Sequence, residues 1–425
     1  MKLDVKRTII VGLAFMGISA FWQLYDFIIP LVLTNVFHAS DTISGFVMSL
    51  DNILALVMLP LFGSLSDKTQ TRFGKRMPFI IGGTVITVIS MTVLPYAIDL
   101  DNVIVFVIGL LLVLFALSSY RSPAVALMPD VTPKHLRSNG NAIINLMGAL
   151  GGVFSLALLN VLSPQKFGGN HFPIFMAVAA FMFIGMVIMV LLVRENQWRQ
   201  AADQINEAVD EKEALDDASG KLLGEVKKSL WSLLLSIAFW FMGYNAVISA
   251  FSRYAVNQLG LLESQASTIL LAANAAAIIA FVPIGYIGSK LGRKRMIQLG
   301  IILLTLSFGS AFLYRDGFNY LMYLNFIAAG FGWASINVNS LPMVLELAKA
   351  GDVGRYTGLY YTFSMSAQII TPILSGLLFD LAGYRILFPY SAFFLVLSYI
   401  TMTFVKHGDV VLKKQSTKDE TNGFK

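Results

Sequence analysis

The sequence predicts an all-α membrane protein of twelve spanning helices. Three observations carry this: the composition, the number and length of uncharged stretches, and the uneven placement of Lys and Arg. Of 425 residues, 56% are hydrophobic and 13% charged, with a mean hydropathy of +0.71. A soluble domain carries about 25% charged residues, so half the expected charge is missing. This excludes a cytosolic enzyme of ordinary design, a disordered chain and a nucleic-acid binder. There is no cysteine and only four histidines, without HExxH-type spacing, so disulfides, thiolate chemistry and a zinc site are not expected.

A bilayer core of about 30 Å takes roughly 20 helical residues to cross. The first apolar stretch, 8–34, is too long for a signal peptide, contains Asp26 and lacks a small-residue cleavage site, so it is a span. The next five, 42–65, 79–97, 102–127, 139–162 and 172–193, are bounded by charged or Pro/Gly-rich breaks. A polar insert over 194–229 follows, with nine acidic and six basic residues. Its periodic part, from Trp198 to Leu215, predicts an amphipathic surface helix that breaks near 216–220, a connector between two halves. Six more spans follow at 230–255, 265–288, 296–314, 319–345, 357–379 and 385–405. The stretches are continuously apolar, not alternating, which excludes a β-barrel. The domain division is therefore a six-helix half over 1–193, a central loop over 194–229, a second half over 230–405 and a tail over 406–425.

Twelve spans put both ends on one side. The loops on that side hold 26 of the 31 Lys and Arg residues, so the net charge of +6 reads as basic loops at one membrane face and not as a polyanion site. By the positive-inside rule both termini and the central loop are cytoplasmic, in a cell membrane.

The halves repeat each other. After the second span stands Gly63-Ser-Leu-Ser-Asp67-Lys-Thr-Gln-Thr-Arg72-Phe-Gly74-Lys75-Arg76; after the eighth stands Gly285-Tyr-Ile-Gly288-Ser-Lys290-Leu-Gly292-Arg293-Lys294-Arg295. The loops after the fourth and tenth spans correspond more loosely, as Pro129-Asp130 with Arg137 and Pro342 with Glu346 and Arg355. Two six-span halves in parallel repeat are the build of alternating-access transporters, whose site lies between the halves near the midplane.

The duplicated Gly-to-Arg loop resembles that of the major facilitator superfamily. Its first copy, Ser66 to Phe79, and the stretch Tyr120-Arg121-Ser122-Pro123 to Asp130 are similar to the glycoside–pentoside–hexuronide:cation symporters and the sucrose/proton symporters. The resemblance covers the chain in topology and is sharp over roughly 66–79 and 120–137. It implies a transporter that takes up a sugar or glycoside with a cation, without a bound cofactor, and Arg121 as a ligand of sugar hydroxyls or of a carboxylate. In the sodium-using branch two aspartates on the second span hold the cation. Aligned on Pro60 and Gly63, those positions are Ala55 and Leu59 here, which favours a proton as the coupling ion.

Charges inside a bilayer are costly unless paired, protonated or wet. Asp26 lies about 12 Å and Asp51 roughly 13 Å below the same boundary, on consecutive antiparallel helices. Two carboxylates at one depth, stripped of water, make a proton-coupling pair if both face the cavity. Alternatively Asp26 bonds neighbouring hydroxyls or amides for packing, and Asp51 joins Ser49 and Asn52 in a structural cluster. Arg121 lies roughly 28 Å from the outer face, so it could also snorkel to the cytoplasm; the depth difference argues against a permanent Arg121–Asp26 bridge.

Sugar sites pair aromatic platforms with amide, carboxylate or guanidinium groups. Trp22, Tyr25 and Asp26 share one helix face, the best local constellation. Asn52 and Tyr120 are further candidates, as are Trp240, Tyr244 and Asn245 on the seventh span, Trp333 and Asn337 on the tenth, and Tyr361 and Gln368 on the eleventh. Aromatic belts and packing are the competing reading. On the cytoplasmic side, Asp67, Arg72, Gly74, Lys75, Arg76, Asp130 and Arg137, facing Arg293, Glu346 and Arg355, form a gate that pairs across the halves when that side is shut. A monomer in the lipid bilayer, with no nucleic acid or metal, is expected. Efflux of a drug, movement of a lipid, or a membrane-embedded sensor or enzyme are the alternatives, the last without any visible nucleophile–base pair, metal cluster or phosphate loop.

Overall fold

Uncharged runs of this length hold their backbone polar groups inside helices because hydrocarbon offers no other partner. The computed structural model describes residues 3–133, 136–213, 224–315, 317–347 and 353–407. The described chain folds into α1 (Val5–Leu31), α2 (Asp41–Lys68), α3 (Met77–Asp99), α4 (Val103–Asp130), α5 (Arg137–Leu162) and α6 (Phe172–Leu192). Then come α7 (Glu195–Glu213), α8 (Gly224–Arg253), α9 (Glu263–Leu291), α10 (Arg293–Ala311), α11 (Leu321–Leu345), α12 (Val353–Ala382) and α13 (Leu387–Thr403). The expected break near 216–220 and the tail from 408 onward lie outside the described residues.

Eleven of these helices are long and apolar enough to cross a membrane. The twelfth of the fold, α10, falls short because its 19 residues open on Arg293-Lys294-Arg295. Helix starts are marked locally: Asn102 Oδ1 accepts from the Val105 N–H at 3.1 Å and Ser40 Oγ from the Ile43 N–H at 3.2 Å.

Packing follows the duplication. In the first half α1 lies on α5 and α6, α2 on α4, and α3 on α4 and α6; in the second, α8 lies on α12 and α13, α9 on α11, and α10 on α11 and α13. The two sets coincide when each helix of one half is paired with its counterpart seven labels on. Contacts between halves obey the same relation: α2 with α12, α5 with α9, and α1 with α8. Backbones come close at Gly151, where a Cβ would strike the Met16 carbonyl, and at Gly330, where it would strike that of Ala273.

The halves meet unevenly. On α2, the buried residues Ser44, Gly45, Val47, Met48 and Ser49 share one end, where Ile43 and Phe46 on the other side of the helix are exposed, while Leu56, Val57, Leu61 and Leu65 are exposed at the other end. The first group lies toward the face opposite the termini (the far face), the second toward the face carrying Val5 and Thr403 (the terminal face). Bonds between the halves accompany the first group: Ser49 Oγ donates to the Ile369 carbonyl at 2.8 Å and Arg253 pairs with Asp41 at 2.6 Å, so the seal between the halves lies at the far face.

Candidate functional site

Tyr25 is buried and its Oη donates to the Val47 carbonyl at 3.0 Å, tying α1 to α2. Its ring stands edge-on to Trp22 with centroids 5.4 Å apart. That anchorage turns the arc carrying Trp22 and Asp26 toward the space between the halves. Asp26 is half-buried and has no hydrogen-bond or ion-pair partner among the described residues. Asp51, one helix away, is close enough for its charge to act on Asp26, and accepts from Asn52 Nδ2 at 2.8 Å.

Arg121 completes this wall. Its guanidinium sits 5.7 Å from the Trp22 ring centroid and within electrostatic reach of Asp51 and of Tyr361 on α12. The side chain is thus aimed into the cavity and not toward the lipid boundary. The opposite wall is aromatic. Tyr244 on α8 stacks face to face on Trp333 of α11, with centroids 3.7 Å apart and planes 1° from parallel, and Phe241 meets the same indole edge-on at 5.6 Å. Asp26 acts electrostatically on Tyr244, so the two walls face each other. Charged groups from α1, α2 and α4 thus oppose rings from α8, α11 and α12. Such a site can hold hydroxyls with the carboxylates and guanidinium while a flat apolar face lies on the rings. Among the described residues no acidic or histidine cluster is placed to hold a metal.

Other candidates are placed differently. Tyr120 is buried against Gly83, where a Cβ would strike its ring, and Trp240 has no exposed surface. The Asn245 amide nitrogen is enclosed without a partner. Gln368 donates to the Ser364 carbonyl at 3.3 Å, whereas Asn337 and Tyr361 are exposed, nearer the terminal face.

At the terminal face the charged residues pair within each half. Arg76 reaches Asp130 at 2.8 Å and also Asp67 and Ser66, while Lys75 reaches Asp130 at 3.1 Å. Arg293 pairs with Glu346, the equivalent arrangement in the second half. Arg137 donates to the Thr132 carbonyl at 3.3 Å, Arg72 lies over Phe73 at 4.8 Å, and Arg355 is exposed at the start of α12. Sequence reasoning missed the buried carboxylate of Glu195, which accepts from the N–H groups of Lys75, Arg76 and Met77 at 2.8–3.1 Å. It caps α3 from the start of α7. Gly74, at φ +116°, leaves no room for a Cβ beside that carboxylate. The segment expected to serve as a connector is therefore docked, with Trp198 under the Arg7 guanidinium at 5.2 Å.

Missed as well was the far-face seal. Arg253, fully buried, pairs with Asp41 at 2.6 Å; Tyr384 donates to Asp41 at 3.0 Å; Asn35 and Asn257 exchange hydrogen bonds at 3.0 and 2.9 Å. Between α5 and α9, Asn160 bonds the Ser264 carbonyl at 3.1 Å and also Thr268, and Gln165, just past the end of α5, accepts from the Glu263 N–H at 2.8 Å. The only signal for this in the sequence was Arg253 itself, a lone basic residue at that end of its helix.

Comparison with known proteins gives the same architecture. The sequence model of the Major Facilitator Superfamily matches residues 11–267 and 233–423. Sucrose transport protein SUC3 of Arabidopsis thaliana is 26% identical over 162 residues, 33% of this chain and 27% of that protein. Sucrose transport protein SUT1 of Oryza sativa subsp. japonica is 25% identical over 36% of this chain and 31% of its own length. The chain thus spans about a third or less of these sucrose carriers. Multidrug resistance protein 2 of Bacillus subtilis (strain 168) is 25% identical over 87% of this chain and 86% of its own. Among solved structures, a POT family transporter in complex with 5-aminolevulinic acid superposes with a TM-score of 0.69 at 13% identity, covering 94% of this chain and 95% of that one. The nucleoside transporter NupG gives 0.68 at 15% identity, covering 94% and 100%.

Proposed function

Because the chain belongs to the Major Facilitator Superfamily, and so is a multi-pass membrane transporter of a small molecule, we propose that it couples uptake of a sugar or glycoside to proton entry. The observation that carries this reading is Asp26, a carboxylate without a protein partner near Asp51, on the helix face of Trp22, whose ring lies against Arg121. An ionised carboxylate so placed is costly unless a proton or water satisfies it, so it is suited to take up and release a proton as the halves rock. The basic loops favour cytoplasmic termini, which makes the terminal face the inner one. With the far face open, Asp26 binds a proton and the sugar hydroxyls engage Asp51 and Arg121, its apolar face resting on Tyr244 and Trp333. Rocking then exposes the cavity to the inner side, where proton and sugar leave. Arg76, Asp67 and Asp130, with Arg293 and Glu346, separate or re-pair across that inner gate. Ala55 and Leu59, which supply no carboxylate, favour the proton over sodium.

A second reading has a specific support: the multidrug relative aligns over most of both chains, and rings around an unpaired carboxylate also suit an organic cation. The deciding experiment is uptake into proteoliposomes of α-glucosides, β-galactosides, hexuronides, free hexoses and a lipophilic cation, with and without an imposed pH gradient. Accumulation of at least one glycoside that collapses with the gradient is the expected result. Proton-driven movement of the cation alone would replace it with the second reading.

A further inference from the structure

We propose that Asp380 is the far-side gate residue of the transport cycle, a carboxylate of one half that caps helix α2 of the other. A helix start leaves four N–H groups without intrahelical partners, and residues just before the helix usually supply the cap. Ser40 does this for Ile43 on α2. The two preceding N–H groups are served from 338 and 339 residues away: Asp380 Oδ1 accepts from the Asp41 N–H at 2.8 Å and Oδ2 from the Thr42 N–H at 2.9 Å, with the Thr42 hydroxyl on the same oxygen. A negative group at this end also meets the positive end of the helix dipole.

The crossing that brings Asp380 there is a backbone contact. A Cβ on Gly376 would strike the Asp41 carbonyl, and one on Gly45 would strike that of Pro372. Ser49 Oγ donates to the Ile369 carbonyl at 2.8 Å along the same seam. Beside the cap, Arg253 is enclosed by Asp41, Tyr384 and the Phe379 ring, whose centroid lies 5.6 Å from the guanidinium. Opening the far face separates α2 from α12, so the cap exists only in the closed state. Asp380 itself is exposed, and water takes its place when it leaves. The cap therefore biases the equilibrium without locking it. Asp41 is the poorer probe, since its removal would strand the buried Arg253.

The natural chain has no cysteine, so paired spin labels can be placed cleanly. Labels on Leu100→Cys and Leu313→Cys, both 74% exposed at the far face and one in each half, report the opening by pulsed electron resonance in nanodiscs without substrate. Asp380→Asn and Asp380→Ala should raise the open-to-closed ratio at least about fivefold, about 1 kcal/mol, and Asp380→Glu should restore it in part. An unchanged ratio in either variant would overturn the proposal, including when the melting point falls, because that is the mark of a merely structural bond. If the alanine variant does not fold, the asparagine variant, with the same shape, decides. The measurement needs no cargo, so failure of the glycoside reading leaves it intact.

Discussion

Arg121 brings a planar fork of donors to the one place where it meets an indole face, a carboxylate of its own half and a phenol of the other. Lysine there keeps the charge but loses the fork and the stacking, so Arg121→Lys should weaken glycoside binding at least about tenfold, about 1.4 kcal/mol. Intrinsic tryptophan quenching in detergent measures this, since Trp22 and Trp333 line the walls. The intramembrane charges Asp26, Asp51 and Arg121 were legible in the sequence because hydrocarbon makes each of them conspicuous. Their company was not. Nothing in the order of residues says that Tyr25 turns to the Val47 carbonyl, leaving Trp22 and Asp26 to the cavity, or that Tyr244 lies flat on a ring 89 residues away. Trp240 and Tyr120, singled out on residue type, are enclosed, Tyr120 against Gly83 of its own half, because side-chain rotation within a wholly apolar helix leaves no periodicity to read.

At the scale of elements, hydrophobic runs located the twelve spans to within a few residues, and α7 was legible from its amphipathic period. Its first turn was not. Glu195 looked like one more charge in a mixed run, yet it is buried and takes three backbone N–H groups leading into α3, those of Lys75, Arg76 and Met77. Glu195→Ala should cost about 1–2 kcal/mol, as the loss of a helix cap does. A lower thermal midpoint of the detergent-solubilised protein, with glycoside affinity unchanged, is the expected result. The duplicated Gly-to-Arg loops were visible as a repeat, and Asp130 and Glu346 as corresponding residues; that each pairs within its own half, at the end of the fourth helix, emerges only from the fold. Both pairs are largely shielded from water, with Arg76 itself buried, so each holds its own half together more firmly than an exposed pair would.

The whole molecule behaves as two copies of one packing scheme joined through α1, α2 and α5 on one side and α8, α9 and α12 on the other. Composition and repeat implied two halves; they could not say which end is sealed, because two states of one sequence share every local signal and differ by only a few kcal/mol. The far-face network makes the shape seen here the one open at the terminal face. The proposed coupling requires that proton and glycoside share a single cavity, and in that proposal the requirement falls on Asp26. Asp26→Asn in proteoliposomes separates the two halves of the claim. Exchange of labelled for unlabelled glycoside, which needs no gradient, should persist, while accumulation driven by a pH gradient should fall at least about tenfold. Undiminished accumulation in that variant would contradict the account.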